Sequence, residues 1–184
     1  MTGREHMIVG TTATTTMGIG FLLTNNISNV KFIFPLIIGG FIGSYMPDID
    51  SQNSKARKFF NKFIVFLIIA LVIGYTLGMA LNINDIIIFF EQHGQEYFPI
   101  IFFAMLIILG KLSPHRMFTH KWFGTTLFCF SVYTLGNTYL TIGFTMGYVL
   151  HIVCDRFSPR GKKLKFFEFK LPCRNSKNKI NVTW

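Results

Sequence analysis

The chain has 184 residues, of which 51% are hydrophobic, 22 are Phe and only 14% are charged, against about 25% charged in soluble globular proteins. The apolar residues come in long blocks rather than amphipathic stripes, which argues against a soluble domain and for an all-α integral membrane protein. The formal net charge of +10 is then read as basic loops that orient the chain and meet anionic lipid headgroups, not as a surface for nucleic acid.

A helix that crosses a bilayer needs about 20 mostly apolar residues. Six candidates follow in order. The first, from Met7 to Leu23, carries "TTATTT", whose hydroxyls can bond back to carbonyls one turn earlier or to a neighbouring helix. Arg4 precedes it and no small-residue cleavage motif closes it, so it is expected to be retained as a helix. The second, Phe32 to Met46, contains Gly39, Gly40 and Gly43, which permit close helix approach. The others are Phe63 to Leu81, Phe98 to Leu112, Trp122 to Leu135 and Tyr139 to Val153. "IIIFF", Ile86 to Phe90, is too short to cross, and either lies at the interface or extends a neighbour. Cys129, Cys154 and Cys173 show no CxxC spacing and read as small buried hydrophobes, so no disulfide framework is expected.

The loops set the orientation. Lys55, Arg57, Lys58 and Lys62 follow the second segment, Lys111, Arg116 and Lys121 follow the fourth, and the remaining basic residues, apart from Arg4 and Lys31, follow Asp155. With six crossings, every Lys and Arg except Lys31 falls on one side. The opposite loop, Asn82 to Tyr97, carries Asp85, Glu91 and Glu96 and no cation. The positive-inside rule therefore predicts six transmembrane helices with both termini cytoplasmic. Residues 1–155 would form the membrane domain and 156–184 a basic cytoplasmic tail. The sequence sets no oligomeric state.

The same map gathers the rare ligand-forming residues. His6, Asp48 and Asp50 in "PDID", His115 and His120 in "LSPHRMFTHKW", and His151 and Asp155 all fall at the cytoplasmic ends of segments. Only His93, in "EQHGQE", lies opposite among the histidines, and it reads as a solvated loop residue. His151 and Asp155 are four apart and share one helix face. Pro47 should end or distort the second helix, and an extended "DID" would aim both carboxylates the same way. His115 and His120 would splay by roughly 140° on a straight helix, so their convergence needs a bend near Pro114. Each piece alone has an ordinary reading, as an interfacial histidine, a turn with a helix cap, or a structural ion pair. Together they suggest a metal site, because imidazole with carboxylate is the ligand set of zinc, manganese or iron. Ionisable groups beside membrane helices are also costly and tend to be functional.

Four pieces in order, an early His6, "GSYMPDIDSQNS" (43–54), "HRMFTH" (115–120) and "GYVLHIVCDRFSPRG" (147–161), resemble the YdjM-like family of predicted membrane-bound metal-dependent hydrolases, some of them LexA-regulated in bacteria. The resemblance implies a bacterial inner-membrane protein whose His and Asp residues bind metal, and hydrolase activity. One departure is "KKLKFFEF" after Gly161, where members commonly carry an apolar, Pro-containing stretch.

The sequence thus predicts a multi-pass metal-dependent hydrolase with its site facing the cytoplasm. His6, Asp48, Asp50, His115, His120, His151 and Asp155 are the candidate ligands for one or two divalent ions, zinc or manganese. Asp50 is the candidate proton acceptor and Arg116 the candidate stabiliser of transition-state charge. Arg156, Arg160 and Lys162 are candidate phosphate contacts beside their role in topology. Lipids are the expected partners, and the substrate class is a lipid or phosphoester. The alternatives are a metal binder or transporter without catalysis, disfavoured because transport sites lie near the bilayer midplane, and a membrane scaffold.

Overall fold

Each of the six apolar runs forms a helix over its described residues. In the computed structural model, which describes residues 3–24, 30–51, 54–76, 83–114, 117–157 and 166–167, α1 spans Gly3–Leu23, α2 Ile33–Tyr45, α3 Lys55–Thr76, α4 Ile83–Leu112, α5 Trp122–Tyr133 and α6 Thr138–Phe157. Short 3₁₀ turns, Val30–Phe32 and Pro47–Asp50, flank α2. The described residues include no strand. Two stretches among them, Val30–Asp50 and Glu91–Leu112, are long and apolar enough to cross a membrane.

The best-packed part is the trio α1, α2 and α6. Its basis is small residues. A Cβ placed on Gly43 would fall on the backbone carbonyl of Phe144, and one on Gly147 would fall on the carbonyl of Gly40. Only glycine lets the α2 and α6 backbones meet this closely, as in the small-residue interfaces of membrane helices. The α1 threonines return their hydroxyls to their own helix, Thr11 to the Met7 carbonyl (2.8 Å) and Thr15 to the Thr11 carbonyl (2.8 Å). Their polar atoms are thereby satisfied within the helix, and α1 can pack or face lipid without a further partner.

Between α5 and α6 the chain reverses tightly. Gly136 takes the left-handed conformation at φ 75°, and Asn137 caps α6 by accepting the Leu140 amide at 3.0 Å. The apolar core joins this hairpin to α4. Phe118, Phe128, Phe144 and Tyr148 are fully buried, and Phe103 of α4 meets Phe128 and Phe144 edge to face with centroids 6.0 Å apart. Phe166 returns to the start of α5, where its carbonyl accepts the Trp122 amide (3.1 Å) and its ring packs on the core.

"IIIFF" extends a neighbour, one of its two alternatives, because α4 starts at Ile83 and runs through it, Pro99 included. Two expectations change. "EQHGQE" is accordingly helical, so His93 is not a loop residue. "PDID" is a 3₁₀ turn rather than an extended segment, with Pro47 at its first position, where the fixed φ fits a helix start and the missing amide is not needed. Asn82 lies outside the described residues, as do Cys173 and most of the tail.

Candidate metal centre

Four elements deliver polar side chains to one end of the α1–α2–α6 trio. His6 comes from the first turns of α1, Asp48 and Asp50 from the 3₁₀ turn after α2, His120 from the connector before α5, and His151 with Asp155 from the last turns of α6. His6, Asp50, His120, His151 and Asp155 are buried, none more than 4% exposed. Asp48 is the most open, with 19% of its side chain exposed, so the centre meets its surroundings on the Asp48 side.

Three donor pairs define the geometry. His6 Nε2 lies 3.2 Å from Asp155 Oδ1, His120 Nε2 lies 3.5 Å from Asp155 Oδ2, and His151 Nε2 lies 3.6 Å from Asp48 Oδ1. The His6 ring stacks on His151 with centroids 4.0 Å apart, and His120 meets His151 edge to face at 5.5 Å. The four-residue spacing of His151 and Asp155 brings both to His6, as expected for one helix face.

His151 fixes its own tautomer. Its Nδ1 lies 2.7 Å from the Ser44 carbonyl, which can only accept, so Nδ1 carries the proton. Nε2 of the neutral ring is then a bare lone pair, buried and with no hydrogen-bond partner among the described residues. Leaving such an atom unsatisfied costs about 1–3 kcal/mol. It faces a carboxylate oxygen, which repels it unless a cation or proton lies between.

His120 is held the same way through a side chain the sequence reading passed over. The Thr119 hydroxyl donates its one hydrogen to Asp50 Oδ2 (2.7 Å), so toward His120 Nδ1, 3.0 Å away, its oxygen accepts. Nδ1 therefore carries the proton, and Asp50 Oδ2, 3.3 Å from it, reinforces the choice. Nε2 is again the face turned to Asp155. The Tyr148 hydroxyl donates to the Thr119 carbonyl (2.7 Å) and pins the connector to α6. Tyr148 stands three residues before His151 on the same face, a spacing that could have marked it. The Ser44 carbonyl is backbone and has no sequence signature.

The structure thus brings together His6, Asp48, Asp50, His120, His151 and Asp155. Two ligand threes can be drawn, His6 with His151 and Asp155, and Asp48 with His120 and His151; within each, the donor atoms lie within 4.8 Å of one another. Asp50 belongs to neither three, and it contacts Thr119 and His120. Arg156 is exposed, and His115, Arg116, Arg160 and Lys162 lie outside the described residues.

The pieces that carry the centre match the YdjM inner membrane protein family over residues 1–181. The chain belongs to that family. No curated protein and no solved structure matches it. As a YdjM-family chain it is assigned to the inner membrane, in agreement with the two stretches among the described residues that are long and apolar enough to cross one.

Proposed function

We propose that this YdjM-family protein is a membrane-bound, metal-dependent hydrolase whose His/Asp centre faces the cytoplasm. The observation that carries the reading is His151 Nε2, a buried lone pair with its tautomer locked by Ser44 and directed at a carboxylate. Donors on one tetrahedral ion, each about 2.1 Å from it, lie about 3.4 Å apart. The three donor pairs, at 3.2, 3.5 and 3.6 Å, have that spacing, so each pair stands as two ligands of one divalent ion would.

His6, Asp48, His120, His151 and Asp155 would hold the ion or ions, with zinc or manganese as the candidates for this donor set. A divalent ion here would supply Lewis-acid polarisation of the scissile bond and acidify water. Ser44 and the Asp50–Thr119 pair keep the two imidazoles aimed, the task that outer carboxylates and carbonyls perform around metal-bound histidines. Asp50 is thus better cast as a positioning residue than as the proton acceptor named from sequence. Asp48, the most open carboxylate, takes over as the candidate base, and Arg116 remains the candidate for neutralising developing charge.

Six crossings with cytoplasmic termini would give this setting, and α3 favours them. α3 exposes Phe63, Val65, Phe66, Ile68, Ile69, Val72 and Ile73, as a lipid-facing helix does, while Lys55, Arg57, Lys58 and Lys62 stand at its start. The basic rim and membrane setting favour a phosphoester, with a lipid phosphate as the first candidate. The test is a hydrolysis screen of phospholipids and generic phosphodiesters with purified protein, with and without chelator. Chelator-sensitive turnover is expected. Full metal loading with no turnover across the screen would make the protein a metal binder instead.

A further inference from the structure

The donors do not gather evenly around one point. They form two threes that share His151. Ligands on a single ion with bonds of about 2.1 Å are never farther apart than about 4.2 Å, so five donors around one ion would read as one cluster. The Asp155 carboxylate spans the two threes. Its Oδ1 faces His6 of one and its Oδ2 faces His120 of the other. A carboxylate that directs its two oxygens at different imidazoles is disposed to join two ions.

We propose that the centre holds two divalent ions bridged by the Asp155 carboxylate, His6 serving one and His120 with Asp48 the other. This rests on the metal-centre reading and deepens it. His151 has one lone pair and serves one of the two. With His151 on the His6 ion, three imidazoles, Asp48 and both Asp155 oxygens give three protein donors to each ion, which leaves open positions on both. Paired ions are suited to clamping the attacking and leaving oxygens of a phosphoester, which favours that class of substrate without being exclusive to it.

The experiment is manganese loading of the purified full-length protein, read by metal analysis and electron paramagnetic resonance. Wild type is expected to hold about two Mn(II) per chain with an exchange-coupled spectrum. His6→Gln is expected to lose one ion and show the spectrum of an isolated ion, while Asp155→Asn is expected to lose the coupling. His6→Gln decides the matter if the Asp155 variant does not fold. About two uncoupled ions would overturn the bridge. About one ion in wild type would overturn the two-ion centre yet leave the metal-centre reading standing, and no ion would overturn both.

Discussion

The α1–α2–α6 trio and helix α3 are both strongly apolar, yet they use that apolarity in opposite ways. In the trio, glycines bring backbones together, and polar side chains are buried at one end with their tautomers set by neighbours. In α3, Phe59, Phe63, Val65, Phe66, Ile68, Ile69, Val72 and Ile73 are exposed, and the described contacts of the helix are mainly with the 3₁₀ turn at Pro47–Asp50. The lesson is that hydropathy marks both as membrane material, but the small and polar residues mark where structure is specified.

Substitutions should separate the two regions. The largest effect is expected from Gly43→Leu, whose side chain has no room against the Phe144 carbonyl. Overpacking costs about 1–3 kcal/mol even in yielding cores, and backbone yields least, so little folded protein should survive a thermal melt in detergent. A wild-type melt would sink the close-packing claim. Next comes Asp48→Ala, which removes a ligand of one ion and should lower the metal content by about that ion while leaving the helices intact by circular dichroism. Acidification should act in the same direction, because protons compete with metal for imidazole and carboxylate, so occupancy falls as pH falls. Metal retained at full occupancy in the Asp48 variant would remove it from the ligand set.

Thr119→Val should weaken metal affinity by about 10–100-fold, the usual penalty for losing an outer partner. Unchanged affinity in a competitive chelator titration would mean that His120 is not oriented through Thr119. Phe66→Leu, on the exposed face of α3, should change stability by less than about 0.5 kcal/mol. A large loss there would show that α3 is covered by protein rather than lipid.

Much of this contrast was legible in the sequence. Apolar runs of bilayer length gave the helices, since nothing else satisfies backbone in lipid. Their ends were less legible. α4 runs back to Ile83 because Glu and Gln are good helix formers and the acidic stretch has no breaker strong enough to stop it. α6 runs on to Phe157 and so carries Asp155 within its last turns. In the centre, His6, Asp48, Asp50, His120, His151 and Asp155 could be grouped from the expected topology alone, because the distribution of Lys and Arg assigned them to one face; His115, grouped with them, lies outside the described residues. What stayed hidden was orientation. The Ser44 carbonyl and the Thr119 relay act through folded geometry, and the turn at "PDID" gave Asp48 and Asp50 separate tasks instead of one shared direction.

The most direct measurement is the metal content of the purified protein, wild type beside His151→Ala. Stoichiometric zinc or manganese is expected in the wild type and less bound metal in the variant, which lacks a ligand of one ion, with both proteins folded. Metal-free wild type that does not take up either ion on addition, or a variant that binds as well as wild type, would contradict it.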